Sequence, residues 1–178
     1  MKKRNKEYII PFKGLKNGIH DFEFNINDAF FSEIKFSEIE HGHLNVSVQL
    51  HKHQTFLEFD VNIHGDVELT CDRCLDEYIE EVDFRGSLYV KFGEETDTED
   101  DEIIILSEDE YELDLSHYIN ESINLSLPLK RVHPDDDKGN PQCNEDMISK
   151  LKEHQSDSSK DGNIDPRWNG LRDLLSDN

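Results

Sequence analysis

Between Leu44 and Cys71 apolar residues recur at alternate positions on either side of one turn, and this pattern limits the fold more than any other feature. Leu44, Val46, Val48 and Leu50 alternate with polar residues, and His51-Lys-His-Gln54 interrupts them. Leu57, Phe59, Val61 and Ile63 resume the alternation, followed by Val67, Leu69 and Cys71. A period of two puts one set of side chains on one face of an extended chain. The segment therefore reads as a hairpin of long antiparallel strands ending at Cys71. Gly65, in the middle of the second run, reads as a bulge or bend. His20 to Ile26 shows the same alternation, with Phe22, Phe24 and Ile26 on one face. A further strand runs through Val82, Phe84, Leu88, Val90 and Phe92, with Gly86 as a candidate kink. Tyr8–Phe12 and Ile103–Leu106 are short apolar runs that read as strands.

Helical spacing is confined to a few places. Asn27 or Asp28 caps a short helix through Ala29, Phe30 and Ile34. From Asp114 the period becomes helical, with Leu115, Tyr118, Ile119, Ser122 and Ile123 on one face and Pro128 as the stop. Asp146 to Leu151 suits a helical turn or two. Residues 154–163 have linker composition and are expected to be flexible. In Ile164–Leu175, Asp165 reads as an N-cap with Pro166 at the first helical position, and Trp168, Leu171, Leu174 and Leu175 share an apolar face. These elements predict an α+β fold: mostly antiparallel sheet, with barrel-like closure an open option, and a few helices in the C-terminal half. The expected organisation is one domain over 1–153, a linker over 154–163 and a helical tail over 164–178.

The formal net charge is −22, from 41 acidic and 19 basic residues. Such a chain repels phosphate backbones unless a basic face is segregated, and attracts basic partners; the same acidity also serves solubility alone. The acidic tract Glu94–Glu102 contains no hydrophobic residue and is expected to stay solvated. Small basic spots occur at Lys2, Lys3, Arg4 and Lys6 and at Lys130, Arg131 and His133. The basic N-terminus is followed by no apolar stretch of a secretory signal, and no run has transmembrane length. A cytoplasmic protein with no membrane partner is the expectation.

The chemistry rests on cysteine. Cys71 and Cys74 stand in Thr-Cys-Asp-Arg-Cys-Leu, and Cys143 is the third and last thiol. Thiolates three positions apart on a turn can bind zinc from one side; Cys143 offers a third ligand and His133, in the same irregular loop, a fourth. Unmetallated structural thiols are the alternative. Redox work fits less well, because Asp72, Asp76 and Glu77 flank the pair and are expected to raise the thiol pKa. His41-Gly-His43 and His51-Lys-His53 read as solvent-facing strand histidines. No phosphate-binding loop, nucleophile elbow or His-Glu-x-x-His pattern occurs, so no catalytic residue, no organic cofactor and no small-molecule substrate is expected.

Taken in order, these elements resemble the YceD-like family of large ribosomal RNA subunit accumulation proteins of bacteria and plastids. The shared features are a strand-rich N-terminal half, Cys-x-x-Cys-Leu (Cys71 to Leu75), an acidic stretch, and a helix into Leu-Ser-Leu-Pro-Leu-Lys (Leu125 to Lys130). A cysteine-bearing loop follows, then Asp-Pro-Arg-Trp (Asp165 to Trp168). The resemblance covers nearly the whole chain. Many members carry further cysteines in the loop where this chain has only Cys143, with His133 as the substitute. The resemblance implies a non-enzymatic factor needed for 23S ribosomal RNA to accumulate, acting on a basic ribosomal protein or an rRNA precursor. Candidate partner-binding residues are Asp165, Pro166, Arg167 and Trp168, with Lys130 and Arg131. Two other readings are open: a zinc- or thiol-dependent enzyme acting on RNA or a small molecule, and an acidic adaptor without a ribosomal role.

Overall fold

The computed structural model describes residues 6–34, 37–93, 103–135, 138–139 and 142–154. The acidic tract 94–102 and the tail from 155 onward, including Asp165, Pro166, Arg167 and Trp168, lie outside the described residues. In chain order the elements are β1 (Ile9–Ile10), β2 (Gly18–Ile26), α1 (Asp28–Glu33), β3 (Gly42–Lys52), β4 (Phe56–Thr70), β5 (Glu77–Phe92) and β6 (Ile103–Leu106). They are followed by β7 (Leu113–Asp114), α2 (Ser116–Ser126) and α3 (Glu145–His154).

The fold is α+β, and its main sheet has the order β2-β3-β4-β5-β6. The β2–β3, β3–β4 and β4–β5 ladders are antiparallel. Register converts the alternation into a core: Phe24, Val46, Ile63 and Phe84 stand opposite one another across four strands, as do His20, Leu50, Phe59 and Leu88. Directly opposed residues share a face, so this side of the sheet is apolar. The other side carries Asp21, Glu23, Asp66, Glu81 and Asp83, all exposed to solvent. Two-residue periodicity is thus satisfied by an antiparallel sheet with one wet face.

The barrel option is not realised. Closure would require a ladder between β2 and β6, the two ends of the order, and none exists. The apolar face is covered in another way, which removes the drive to close. Phe30 and Phe31 of α1, Leu115, Ile119 and Ile123 at α2, and Tyr8, Ile10 and Phe12 all join the buried cluster of the sheet. Tyr118 meets Phe84 edge-on, with ring centroids 6.3 Å apart. The Tyr8–Phe12 run contributes only a two-residue strand, and it pairs with β7 in a separate ribbon rather than with the sheet. Within this mostly antiparallel sheet, β6 runs parallel to β5, Tyr89 opposite Ile103.

Neither glycine marks a bulge. The registers of β4 against β3 and β5 run without a skipped residue through Gly65, and that of β5 against β4 through Gly86. An inserted residue would have shifted the buried set from odd to even positions, yet Val61, Ile63, Val67 and Leu69 are all buried. Gly65 is there for space and backbone angle. Its φ is +154°, and a Cβ would lie 2.2 Å from the His43 carbonyl oxygen. Gly86 leaves room for the Phe84 ring and the Tyr118 hydroxyl.

The helices begin where short polar side chains can hold free N–H groups. The Asn27 side chain accepts from the Ala29 N–H at 3.0 Å to start α1. Asp114 accepts from the Ser116 N–H at 2.9 Å to start α2. Among the described residues, no helix is long and apolar enough to cross a membrane.

Candidate metal centre

The loop 71–76 closes the β4–β5 hairpin, whose last pair is Thr70 opposite Glu77. It is wound tightly. The Cys71 N–H donates to the Asp76 carbonyl and the Leu75 N–H to the Cys71 carbonyl, both at 2.9 Å. Leu75 takes a left-handed conformation, φ 65°, which costs a leucine about 1 kcal/mol. This turn places Cys71 and Cys74 side by side. The segment from Leu129 is stitched to the same loop: the Asp72 N–H donates to the Arg131 carbonyl at 2.7 Å, and the Arg131 N–H to the Asp72 carboxylate at 2.9 Å. Two residues on, His133 is thereby carried over the cysteines. Asn144 donates to the Asp76 carboxylate at 3.1 Å and holds Cys143 against the pair from the other side.

The result is a cluster of Cys71, Cys74, His133 and Cys143 whose ligand atoms all lie within 4.8 Å of one another. Sγ of Cys71 is 3.9 Å from Sγ of Cys143, and Sγ of Cys74 is 3.4 Å from Nδ1 of His133. The edges of a zinc tetrahedron with sulfur and nitrogen ligands are about 3.8 Å and 3.5 Å. The three thiols are buried and His133 is half-buried. The Tyr78 ring leans on the imidazole, centroids 5.3 Å apart, and fixes its plane. Three thiols and an imidazole are the donor set that zinc favours, so the residues fit the ion.

The thiol electrostatics differ from the sequence expectation. Burial acts to raise the Cys71 thiol. The backbone N–H groups of Cys74, Arg73 and His133, with the His133 side chain, outweigh burial and bring the thiol down to about 6. The flanking acids do not raise it, because Asp72 and Asp76 turn their carboxylates to Arg131 and Asn144. Glu77 belongs to the sheet, where a hydrogen bond with Glu68 raises its own carboxyl. Burial, and then Cys71, push the Cys143 thiol up. Burial, and then Glu80, push the Tyr78 phenol up to about 12, so its hydroxyl stays neutral beside the cluster. Several thiolates crowded in one buried site repel one another, and a divalent cation lifts that restriction.

A model of the large ribosomal RNA subunit accumulation protein YceD family matches residues 59–175. The chain belongs to this family. The matched span contains the β4–β5 hairpin from Phe59 onward and all four residues of the cluster. YceD membership implies a part in the accumulation of large-subunit ribosomal RNA. No curated protein and no solved structure matches the chain.

The remaining candidate residues are placed differently. Lys130 is exposed, beside the fully exposed Leu129. Arg131 gives its guanidinium to Glu38 at 2.7 Å and its main chain to Asp72, so it shapes the loop that bears His133. Of the four paired histidines, His41, His43 and His53 are exposed and His51 is half-buried; His41, just before β3, pairs with Asp28 at 3.0 Å, and His53, just after it, stacks on Phe56 at 4.1 Å. Sequence reasoning missed Tyr78, Asp72 and Asn144 as supports of the cluster. For Tyr78 a signal existed, since it lies opposite Leu69 on the core face. For Asp72 and Asn144 no periodic signal exists, because both act from irregular loops.

Proposed function

We propose that this protein is a non-catalytic factor in large-subunit assembly, a binding module whose loop end is held rigid by a structural zinc ion. The observation that carries the reading is the closed donor set, in which Cys71, Cys74, His133 and Cys143 supply four ligand atoms within 4.8 Å. Catalytic zinc keeps a position open for water or substrate; four protein ligands leave none. The partner is a basic ribosomal protein or the 23S rRNA precursor. A net charge of −22 favours the protein, because bare RNA would be repelled from most of the surface. Lys130 and the tail residues Asp165, Pro166, Arg167 and Trp168 are the proposed contacts, and the cytoplasm, where ribosomes assemble, is the proposed compartment.

One observation favours a second reading. A thiol held near 6 is largely thiolate at neutral pH and suits thiol chemistry. Depletion followed by complementation separates the two. Loss of the protein should lower 23S relative to 16S RNA, and tagged protein should co-sediment with large-subunit precursors. Turnover of RNA or nucleotide by the pure protein, abolished in Cys71→Ala, would overturn the non-catalytic reading.

A further inference from the structure

Cys71, Cys74 and Cys143 are free thiols that meet in one cluster, but they enter it differently. Cys71 and Cys74 belong to one tight loop, in which the Cys71 and Leu75 N–H groups are both tied within residues 71–76. Cys143 comes from a segment 72 residues away in sequence and stands at the root of α3. There the Asn144 amide donates to the Asp76 carboxylate at 3.1 Å, and its side-chain oxygen accepts from the Asp146 N–H at 3.1 Å. The Cys74 thiol faces the other arm, with Nδ1 of His133 at 3.4 Å. Sγ of Cys71 and Sγ of Cys143 lie 3.9 Å apart. A disulfide holds its sulfurs at about 2 Å, so these two, on separate pieces of chain, are within a side-chain rotation of bonding.

We propose that the cluster is a redox switch, in which hydrogen peroxide joins Cys71 to Cys143, frees the His133 arm and leaves α3 pinned to the hairpin loop. The Cys143 thiolate, the least deeply buried of the three at 7% exposure, takes one peroxide oxygen as the O–O bond breaks, and hydroxide leaves. The Cys71 thiolate then attacks that sulfur, the S–S bond forms, and the transferred oxygen leaves as a second hydroxide. Two protons from solvent turn both hydroxides into water. The sulfur pair has lost two electrons and the peroxide has gained them. Cys74 and His133 remain as two ligands where a closed zinc site needs four, so a bound ion would leave. The 129–133 segment then loses its anchor at His133, and Lys130 goes with it, whereas α3 gains a covalent anchor at Cys143. The effect on a partner rests on the reading that Lys130 makes contact; the disulfide does not.

The test is to expose the full-length protein, as purified, to hydrogen peroxide. Peptide mapping without reductant should join the peptide of Cys71 to that of Cys143, and dithiothreitol should undo the link. Any bound zinc should appear in a chromogenic chelator as the link forms. Amide exchange over residues 130–133 should rise several-fold while that over 145–154 stays as it was, unlike the chelated protein, in which both should rise. Cys74→Ser removes a ligand but neither partner of the link, and should still form it; Cys143→Ser should not. A Cys71–Cys74 link, a link between two chains, or thiols that stay reduced would each overturn the proposal. So would release of α3 together with the His133 arm. A chain purified without metal would contradict the structural zinc, while the same Cys71–Cys143 link formed in it would still support the switch, so the two readings fail separately.

Discussion

Phe59 and Cys71 are both completely buried, and both lie on the β4–β5 hairpin or its loop, yet they are held in opposite ways. Phe59 stands between Leu50 and Leu88 in a face built by register over five strands. Any one of its contacts is one of many, and the apolar area it buries is worth about 1.5–3 kcal/mol. Cys71 sits where three irregular pieces meet, the 71–76 loop, the 129–133 segment and the turn at Cys143, joined by a few hydrogen bonds. No sheet runs through that end. Contacts are spread over a whole face in one region, and in the other they are gathered at four clustered thiol and imidazole groups and a few hydrogen bonds. The sheet can therefore exist before the loop end is assembled, but the loop end cannot exist without the β4–β5 hairpin.

The harshest way to break the comparison is Phe59→Ala. Truncating a fully buried phenylalanine costs about 3–5 kcal/mol, read as a fall in the denaturation midpoint of the whole molecule. Loss of the loop end alone, with the sheet intact, would show that the two regions were assigned the wrong dependence.

Chelation acts in the reverse direction. Removing the ion from a site of this kind should speed amide exchange over residues 71–76, 131–133 and 143–154, while β3 and β4 keep their protection. Uniform loss of protection would mean that the sheet too depends on the metal.

A smaller effect sharpens the picture. Asp72→Ala removes the acceptor of the Arg131 N–H and should cost roughly 1 kcal/mol, seen as weaker zinc retention against a competing chelator with the global midpoint nearly unchanged. Zinc retention equal to wild type would show that the 129–133 segment does not need this bond.

The smallest effect lies at the exposed Asp28–His41 pair. The hydrogen bond from His41, and then that from the Gly42 N–H, lower the Asp28 carboxyl; the hydrogen bond with Asp28 raises the His41 imidazole. The depressed acid contributes above its ordinary value and loses the contribution as pH falls through the folded value. The raised base contributes below its ordinary value and loses it as pH rises through the folded value. The pair is thus fully formed between about pH 4 and 6.5. Asp28→Asn should move the His41 titration, followed by NMR, downward, with little effect on either region's stability.

How much of this was legible in the sequence follows the same divide. The paired strands were readable, because a period of two survives any detail of packing, and Leu44, Val46, Val48 and Leu50 are buried as that period requires. Gly65 misled, because a glycine in an alternating run signals either an inserted residue or a close backbone approach, and only the register decides between them. Barrel closure was undecidable, since a half-buried edge strand looks the same whether a strand or a helix covers its neighbours. The gathering of Cys71, Cys74, His133 and Cys143 could be guessed from ligand spacing. The depressed Cys71 thiol could not, because backbone N–H groups aimed at a sulfur leave no mark in the residue types.

The most direct test is native mass spectrometry of the full-length protein purified without added metal. One zinc ion per chain is the expected result, retained at neutral pH, released on acidification as protons compete for the thiolate ligands, and absent from Cys143→Ser. A metal-free chain with native structure and three freely titrating thiols would contradict the account.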